Sequence, residues 1–288
     1  MSFMPKSLRS FLTSISPFLI LLGMGFWAAQ LPAQLVAQEK PSIIVDDYGQ
    51  WKRITSTALS PDGAWMSYAY DRLEGEDTLY VKTLDGPTEH VIVRGTAAAF
   101  SRDSRWVGYQ IAPPEREGGG AAARQGGPQT PSPGQRPGQG GGGGQGQTMV
   151  LRKLATGDTI TFAGVASFSF PENTDVLLIR KRGAGNDADH EGADLVIHDL
   201  NKGTSLNLGN VSEFSVNDSG THLAYLVDAA GDAGNGLYLM ELASNRIHAL
   251  DTHQATYSQL TWNEGGDALA TLRGAVPEKK VQRENALL

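Results

Sequence analysis

The residues with the strongest claim to chemistry are acidic and lie in one stretch, Asn186-Asp187-Ala188-Asp189-His190-Glu191-Gly192. Their order matches the opening of a calcium loop, D-x-D-x-E-G, in which alternate carboxylates converge on one ion. The twelfth position from Asp187 is His198, where such a loop needs a bidentate Glu, and the flanking runs read as strands instead of helices. A solvated hairpin loop is therefore expected here, and Asp228 to Gly236, also acidic and Gly-rich, is read the same way. The histidines, His90, His190, His198, His222, His248 and His253, have no Ser or acid at a spacing that builds a base, so they are expected on strands or at the surface. Without cysteine there is no thiolate nucleophile, disulfide or Cys-based metal site. No catalytic, cofactor-binding or metal-binding residue is assigned, and no cofactor is implied.

Two further patterns fail on spacing. The tract Gly118 to Gly146 matches Gly-rich phosphate loops only trivially, because no Lys follows a Gly in P-loop spacing and no helix follows. Ser60 to Trp65 places Gly directly after Asp, which does not fit a sialidase-type Asp box. The net charge of −7, or −9 without the first 37 residues, and the lack of a basic run argue against nucleic acid or anionic lipid as a partner.

What the chain does carry is a repeat. Leu59-Ser60-Pro61-Asp62-Gly63-Ala64-Trp65-Met66-Ser67-Tyr68-Ala69-Tyr70 is a turn followed by an aromatic-rich strand, with Pro at the second turn position and Gly at the fourth. Degraded copies return at Phe100 to Tyr109, Phe170 to Leu178, Val216 to Tyr225 and Trp262 to Ala270. Counted from Ser60, Ser101, Pro171, Asn217 and Asn263, the spacings are 41, 70, 46 and 46, and the long one contains the 29 residues of the Gly/Pro/Gln tract. A period in the forties built of short strands is the signature of propeller blades. A second recurring run, Leu79 to Leu84, Met149 to Leu154, Leu195 to Leu200 and Leu237 to Leu242, is each time followed by a turn into an outer strand. The five Trp mostly occupy repeat positions and are expected in packing.

The expectation is an all-β, antiparallel β-propeller of about four and a half four-stranded blades in an incomplete ring, the fifth blade holding only two strands. Residues 1–37 read as a signal peptide, with Lys6 and Arg9 before the apolar run Phe18 to Ala29 and a cleavage site at Leu35-Val36-Ala37 or Leu31-Pro32-Ala33. Residues 38–288 are the partial propeller, and 118–147 a disordered insertion within it. A periplasmic or secreted location follows from the signal, with an uncleaved anchor as the other reading and no membrane contact beyond that segment.

These features together resemble the propeller repeats of the TolB and prolyl oligopeptidase type. Asp47-Tyr48-Gly49-Gln50-Trp51 leading into Ala58 to Gly63, the Gly-rich insertion in the second repeat, Asn235 to Leu239, Leu260 to Asn263 and Arg283 to Leu288 resemble the N-terminal half of bacterial secreted S9-family serine peptidases. The resemblance implies an α/β-hydrolase domain carrying a Ser/Asp/His triad on a G-x-S-x-G elbow, with a peptide substrate acting through that domain. No such elbow is in this chain: Gly203-Thr204-Ser205-Leu206-Asn207 comes nearest and lacks the last Gly. The resemblance therefore implies a fragment without its catalytic domain, inactive alone, that gates or scaffolds substrate access. The other reading is a non-enzymatic TolB-like propeller that binds proteins.

Because the strands flanking the tract already belong to one blade, deleting Gly118 to Gly146 should leave the urea midpoint nearly unchanged. A loss of several kcal/mol would mean that the tract is ordered.

Overall fold

In the computed structural model the turn Ser60 to Gly63 closes as its residue types dictate. Gly63 N–H donates to the Ser60 carbonyl at 2.9 Å, and Ser60 N–H donates to the Trp65 carbonyl at 2.9 Å. The Ser60 hydroxyl accepts from Trp65 N–H at 2.9 Å and donates to the Asp62 carboxylate at 2.6 Å, which in turn accepts Ala64 N–H. Ser101, Asp103 and Trp106 reproduce this arrangement. In later copies an amide does the same work: Asn217 Oδ1 accepts from Thr221 and His222 N–H, and Asn263 Oδ1 from Asp267 and Ala268 N–H. Ser and Asn are interchangeable here because each offers an acceptor to backbone that the turn leaves unpaired.

The fourth turn residue is left-handed in four of the copies: Gly63, Ser104, Gly220 and Gly266 have φ of +71°, +55°, +68° and +66°. In the third copy the ladder runs through Phe168↔Ile179 and Ser169↔Leu178, so the turn opens at Pro171 as the sequence pattern has it, and its left-handed residue is the third, Asn173, at φ +60°. The first turn residue of the other copies donates its N–H across the turn, and proline has none to give.

The structure describes residues 44, 51–72, 75–114, 147–183, 190–275 and 284–288, all within the compact unit Ile44–Leu288. The signal segment, the Gly-rich insertion, Asp47 to Gln50, Asp187, Asp189 and Arg283 lie outside the described residues. Strands β1 (Lys52–Leu59), β2 (Trp65–Arg72), β3 (Thr78–Thr83) and β4 (Glu89–Val93) form one antiparallel sheet in that order. The next ten pair in sequence order as a single antiparallel sheet. They are β5 (Gly95–Phe100), β6 (Trp106–Ile111), β7 (Gln147–Lys153), β8 (Thr159–Ser169), β9 (Val176–Lys181), β10 (Ala193–Asp199), β11 (Ser205–Val216), β12 (His222–Val227), β13 (Gly236–Glu241) and β14 (Arg246–Thr252). The last sheet comprises β15 (Thr256–Trp262), β16 (Leu269–Ala275) and β17 (Glu284–Leu287).

Two points differ from the sequence expectation. The last repeat has a third strand, β17, paired with β16 from Leu272↔Leu287 to Ala275↔Glu284; Glu284 to Leu287 lacks both alternation and β-branched residues, so its pattern gives no strand signal. The middle repeats share one sheet because β8 and β11 exchange partners midway. Val165 pairs with both Gln147 and Lys181, and Val211 with both Ala193 and Val227. Each valine follows a left-handed residue, Gly164 at φ +67° or Asn210 at +55°, so the passage from one repeat to the next takes no extra chain.

Four apolar clusters hold these strands, and each draws on two consecutive repeats. Ala69, Leu79 and Val81 pack on Val107, Tyr109 and Val150. Met149 and Leu151 pack on Leu177 and Ile179, with Phe168 and Phe170 alongside. Val176, Leu178 and Leu195 meet Leu223, Tyr225 and Met240, while Leu226 and Leu237 meet Ala255 and Tyr257. Truncating one such Leu costs about 2–5 kcal/mol. The ion pairs join partly or fully exposed side chains, as in Arg53–Asp71 and Lys202–Asp199, and are worth about 0–1 kcal/mol each. Shared apolar faces, not charges, therefore hold the repeats together.

Turns of neighbouring repeats also touch: Asp62 N–H donates to Ser104 Oγ at 3.0 Å, Asn173 Nδ2 to the Asp218 carbonyl at 2.8 Å and Asn217 Nδ2 to the Gly266 carbonyl at 3.1 Å. The consequence separates two glycines of identical conformation. A Cβ on Gly63 meets nothing within 4 Å, whereas one on Gly220 lies 2.2 Å from the Asn173 carbonyl oxygen. Gly63→Ala should cost about 1–2 kcal/mol from left-handed strain alone. Gly220→Ala should cost a further 1–3 kcal/mol from overpacking. Equal urea midpoints for the two variants would refute the turn-to-turn contact.

Candidate functional site

Each repeat's first strand is bulged. The register shifts between Thr55 and Ala58 in β1, Thr96 and Ala99 in β5, Val165 and Ser167 in β8, Val211 and Glu213 in β11, and Ser258 and Thr261 in β15. A bulge frees backbone groups from the ladder, and here side chains take them up. Gln110 Nε2 donates to the Ala166 carbonyl at 3.4 Å, Arg180 Nη1 to Ser212 at 2.5 Å and Thr271 Oγ1 to Ser258 at 2.8 Å. The Glu213 carboxylate accepts the N–H groups of both Gln259 and Leu260, at 3.1 and 2.9 Å. Burial lowers the pKa of Arg180 while Glu191 and Glu213 act to raise it. These charged residues thus serve as struts between repeats.

The two acidic loops singled out by sequence come together. Glu191 N–H donates to Asp228 Oδ2 at 2.7 Å, and Asn235, only 1% exposed, donates through Nδ2 to Asp228 Oδ1 and to the Ala255 carbonyl. Ala229 N–H closes back on Asn235 Oδ1 at 2.8 Å. Asp228 N–H bonds the Asn210 carbonyl, and a Cβ at Gly192 would stand 2.1 Å from the Asp228 carbonyl oxygen. The Asp228 carboxylate is thus occupied with protein donors. Among the described residues no group of three or more His, Asp or Glu could hold a metal ion.

One Ser–His pair forms that spacing did not reveal. His198, 2% exposed on β10, faces Ser205 across the β10–β11 ladder, with Nδ1 2.8 Å from Ser205 Oγ. The pair lacks the parts of a hydrolase. His198 Nε2 is buried without a hydrogen-bond partner, the ring meets Phe162 edge to face at 5.6 Å, and the neighbouring Asp199 is engaged by Lys202. No carboxylate orients the imidazole, so Ser205 has no activated base. Burial lowers the His198 pKa against a smaller raising effect of Asp199. His90, stacked on Trp65 with centroids 6.1 Å apart, is lowered by burial and by Arg152.

An open cavity of about 580 Å³ lies between the third and fourth repeats at their tight turns. Leu178, Phe214 and Val216 supply its apolar wall, Ser169 and Ser215 its hydroxyls, and Glu172 and Asp218 its carboxylates. None of its lining residues is Lys, Arg or His.

In class, then, the described chain is an all-β antiparallel repeat protein. No family model and no curated protein sequence matches it. Among solved structures, it is similar to the β-propeller domain of the trilobed protease from Pyrococcus furiosus, with a TM-score of 0.43 and 11% identity over 83% of this chain and 69% of that one. It is similar also to TolB from Acinetobacter baumannii, with a TM-score of 0.35 and 11% identity over 82% of this chain and 52% of that one. Acylaminoacyl peptidase from Pyrococcus horikoshii gives a TM-score of 0.43 and 9% identity over 83% and 38% respectively. The chain spans about half of that TolB and less than two fifths of that peptidase.

The buried imidazole sets a pH dependence. Its folded-state pKa lies below the unfolded value of about 6.5, so between the two the unfolded chain binds more protons and stability rises with pH. The contribution is complete above about pH 6.5 and is lost as pH falls toward the folded value. Urea unfolding from pH 8 to pH 5 should show stability falling with acid in the parent. The fall should be shallower in His198→Gln, with the remainder including His90, shifted in the same direction. Identical slopes would assign the acid sensitivity elsewhere.

Proposed function

We propose that this chain is the propeller portion of an exported S9-type serine peptidase, restricting and directing peptide access to a hydrolase site carried by another part of a longer protein. The observation that carries the reading is that every apolar cluster among the described residues joins two consecutive repeats, as blades of a ring require. The turn-to-turn contacts and the bulge struts support the same reading, since a gate must keep its shape while substrate passes. The peptidase assignment draws on the sequence resemblance from Asp47 through Leu288, and export on the segment 1–37. Each repeat of four strands is then one blade, with β8 and β11 each divided between the outer strand of one blade and the inner strand of the next. The Ser205–His198 pair lacks an orienting carboxylate, so the reading assigns hydrolysis to residues outside the described set.

The test is the natural product in source cells, detected with an antibody raised against residues 45–288. The reading expects a protein several hundred residues larger than this chain that reacts with a fluorophosphonate and cleaves Pro- or Ala-containing peptides, while the chain 1–288 alone does neither. A product of this chain's own size, inert to the fluorophosphonate and recovered with a protein partner, would replace the peptidase by a TolB-like binding scaffold.

A further inference from the structure

The residues immediately before the five tight turns are Leu59, Phe100, Phe170, Val216 and Trp262. Where the structure places a large one between repeats, it fills the junction. Phe100 packs against the cluster shared by the first and second repeats, and Trp262 reaches back to the fourth, its Nε1 donating to the Ser215 carbonyl at 3.2 Å. At the junction of the second and third repeats this residue is Phe170, which with Phe168 fills the space so closely that a Cβ on Gly108 would be 2.8 Å from Phe168. Between the third and fourth repeats it is only Val216, and the small Ser169 lines the same space. The cavity of about 580 Å³ lies there.

We infer that this cavity is a binding site for a peptide segment in which an aromatic side chain stands next to Lys or Arg. Its size falls in the range of ligand sites and exceeds what one side chain fills. Buried Leu178, with Phe214 and Val216, forms a wall for a ring, and Phe214 offers it an aromatic partner. The carboxylates of Glu172 and Asp218 stand exposed on the two bordering turns, with no cation among the lining residues to neutralise them. They complement a positive charge carried beside the ring. The turns themselves are fixed to one another by the Asn173 Nδ2 bond to the Asp218 carbonyl, so the site is formed before the peptide arrives. The inference stands on the cavity alone and does not depend on the peptidase reading.

The experiment is calorimetric titration of the full chain with acetyl-Phe-Arg-amide, acetyl-Phe-Glu-amide and acetyl-Ala-Arg-amide. The first should bind in the millimolar range or tighter, and about ten-fold more tightly than either analogue, equivalent to about 1.4 kcal/mol. Val216→Trp, which copies the residue at the next junction, should abolish binding. Glu172→Gln with Asp218→Asn should weaken acetyl-Phe-Arg-amide about five-fold and remove its salt dependence. Absence of binding by the parent, equal binding of the three peptides, or undiminished binding by a normally melting Val216→Trp would overturn the proposal. Should Val216→Trp not fold, the exposed carboxamide pair decides: unchanged affinity and salt dependence would also overturn it.

Discussion

No repeat in this chain can bury its own apolar surface. A short antiparallel sheet has two faces, and strands such as β9, with Val176 to Ile179 all buried, are apolar on both. Leu177 and Ile179 turn toward the preceding repeat while Val176 and Leu178 turn toward the following one. Alternation along one strand thus recruits two neighbours. The near-continuous Val-Leu-Leu-Ile sequence reads as a run instead of an alternating strand for this reason. Stability passes from repeat to repeat, and an isolated repeat would expose one face or both.

This dependence constrains the backbone. Sheets pressed face to face must turn relative to one another, and the first strand of each repeat accommodates this with a bulge, which raises local twist. The freed carbonyl and amide groups, part-buried or exposed, find side-chain partners from the neighbouring strands. Arg180, Gln110, Glu213 and Thr271 supply the partners. Four residues of types commonly associated with binding or catalysis are therefore explained by geometry. The same account covers Asp228 and Asn235, whose polar atoms tie the turn Ala230–Asp232 and the loop at Glu191 to the strands they connect.

The sequence made the repeat legible because its turns are chemically exacting. A left-handed residue, an acceptor side chain at the first position and an aromatic or aliphatic strand afterwards leave few alternatives, so Ser60, Ser101, Asn217 and Asn263 were all identifiable. The third copy opens at Pro171, as its pattern indicates, although its left-handed residue, Asn173, stands one position earlier than in the other turns. Strand β17 was missed because Glu284 to Leu287 is defined by its partner Leu272 to Ala275 and not by its own pattern. The pairing of His198 with Ser205 was hidden for a related reason. Seven residues separate them along the chain, and only the register of a tight hairpin makes them opposite. Nor does any local pattern mark Glu213 as a cap on Gln259 and Leu260, since that contact spans a whole repeat.

A scaffold of this kind can vary in two ways without losing its packing. One is insertion between the second and third strands of a repeat, and that is where the Gly-rich tract, both acidic loops and residues 276–283 all fall along the sequence. The connections at the opposite ends of those strands cannot vary so freely, because the tight turns bond to one another and a Cβ at Gly220 already collides with its neighbour. There the remaining freedom is substitution at the junction residues. Exchanging a Trp for a Val at such a position removes a filler but leaves the turn hydrogen bonds in place, since those belong to Asn217 and not to Val216. The result is a cavity with rigid walls at no cost in turn geometry, which makes the junction of the third and fourth repeats the place where this fold most readily acquires a ligand.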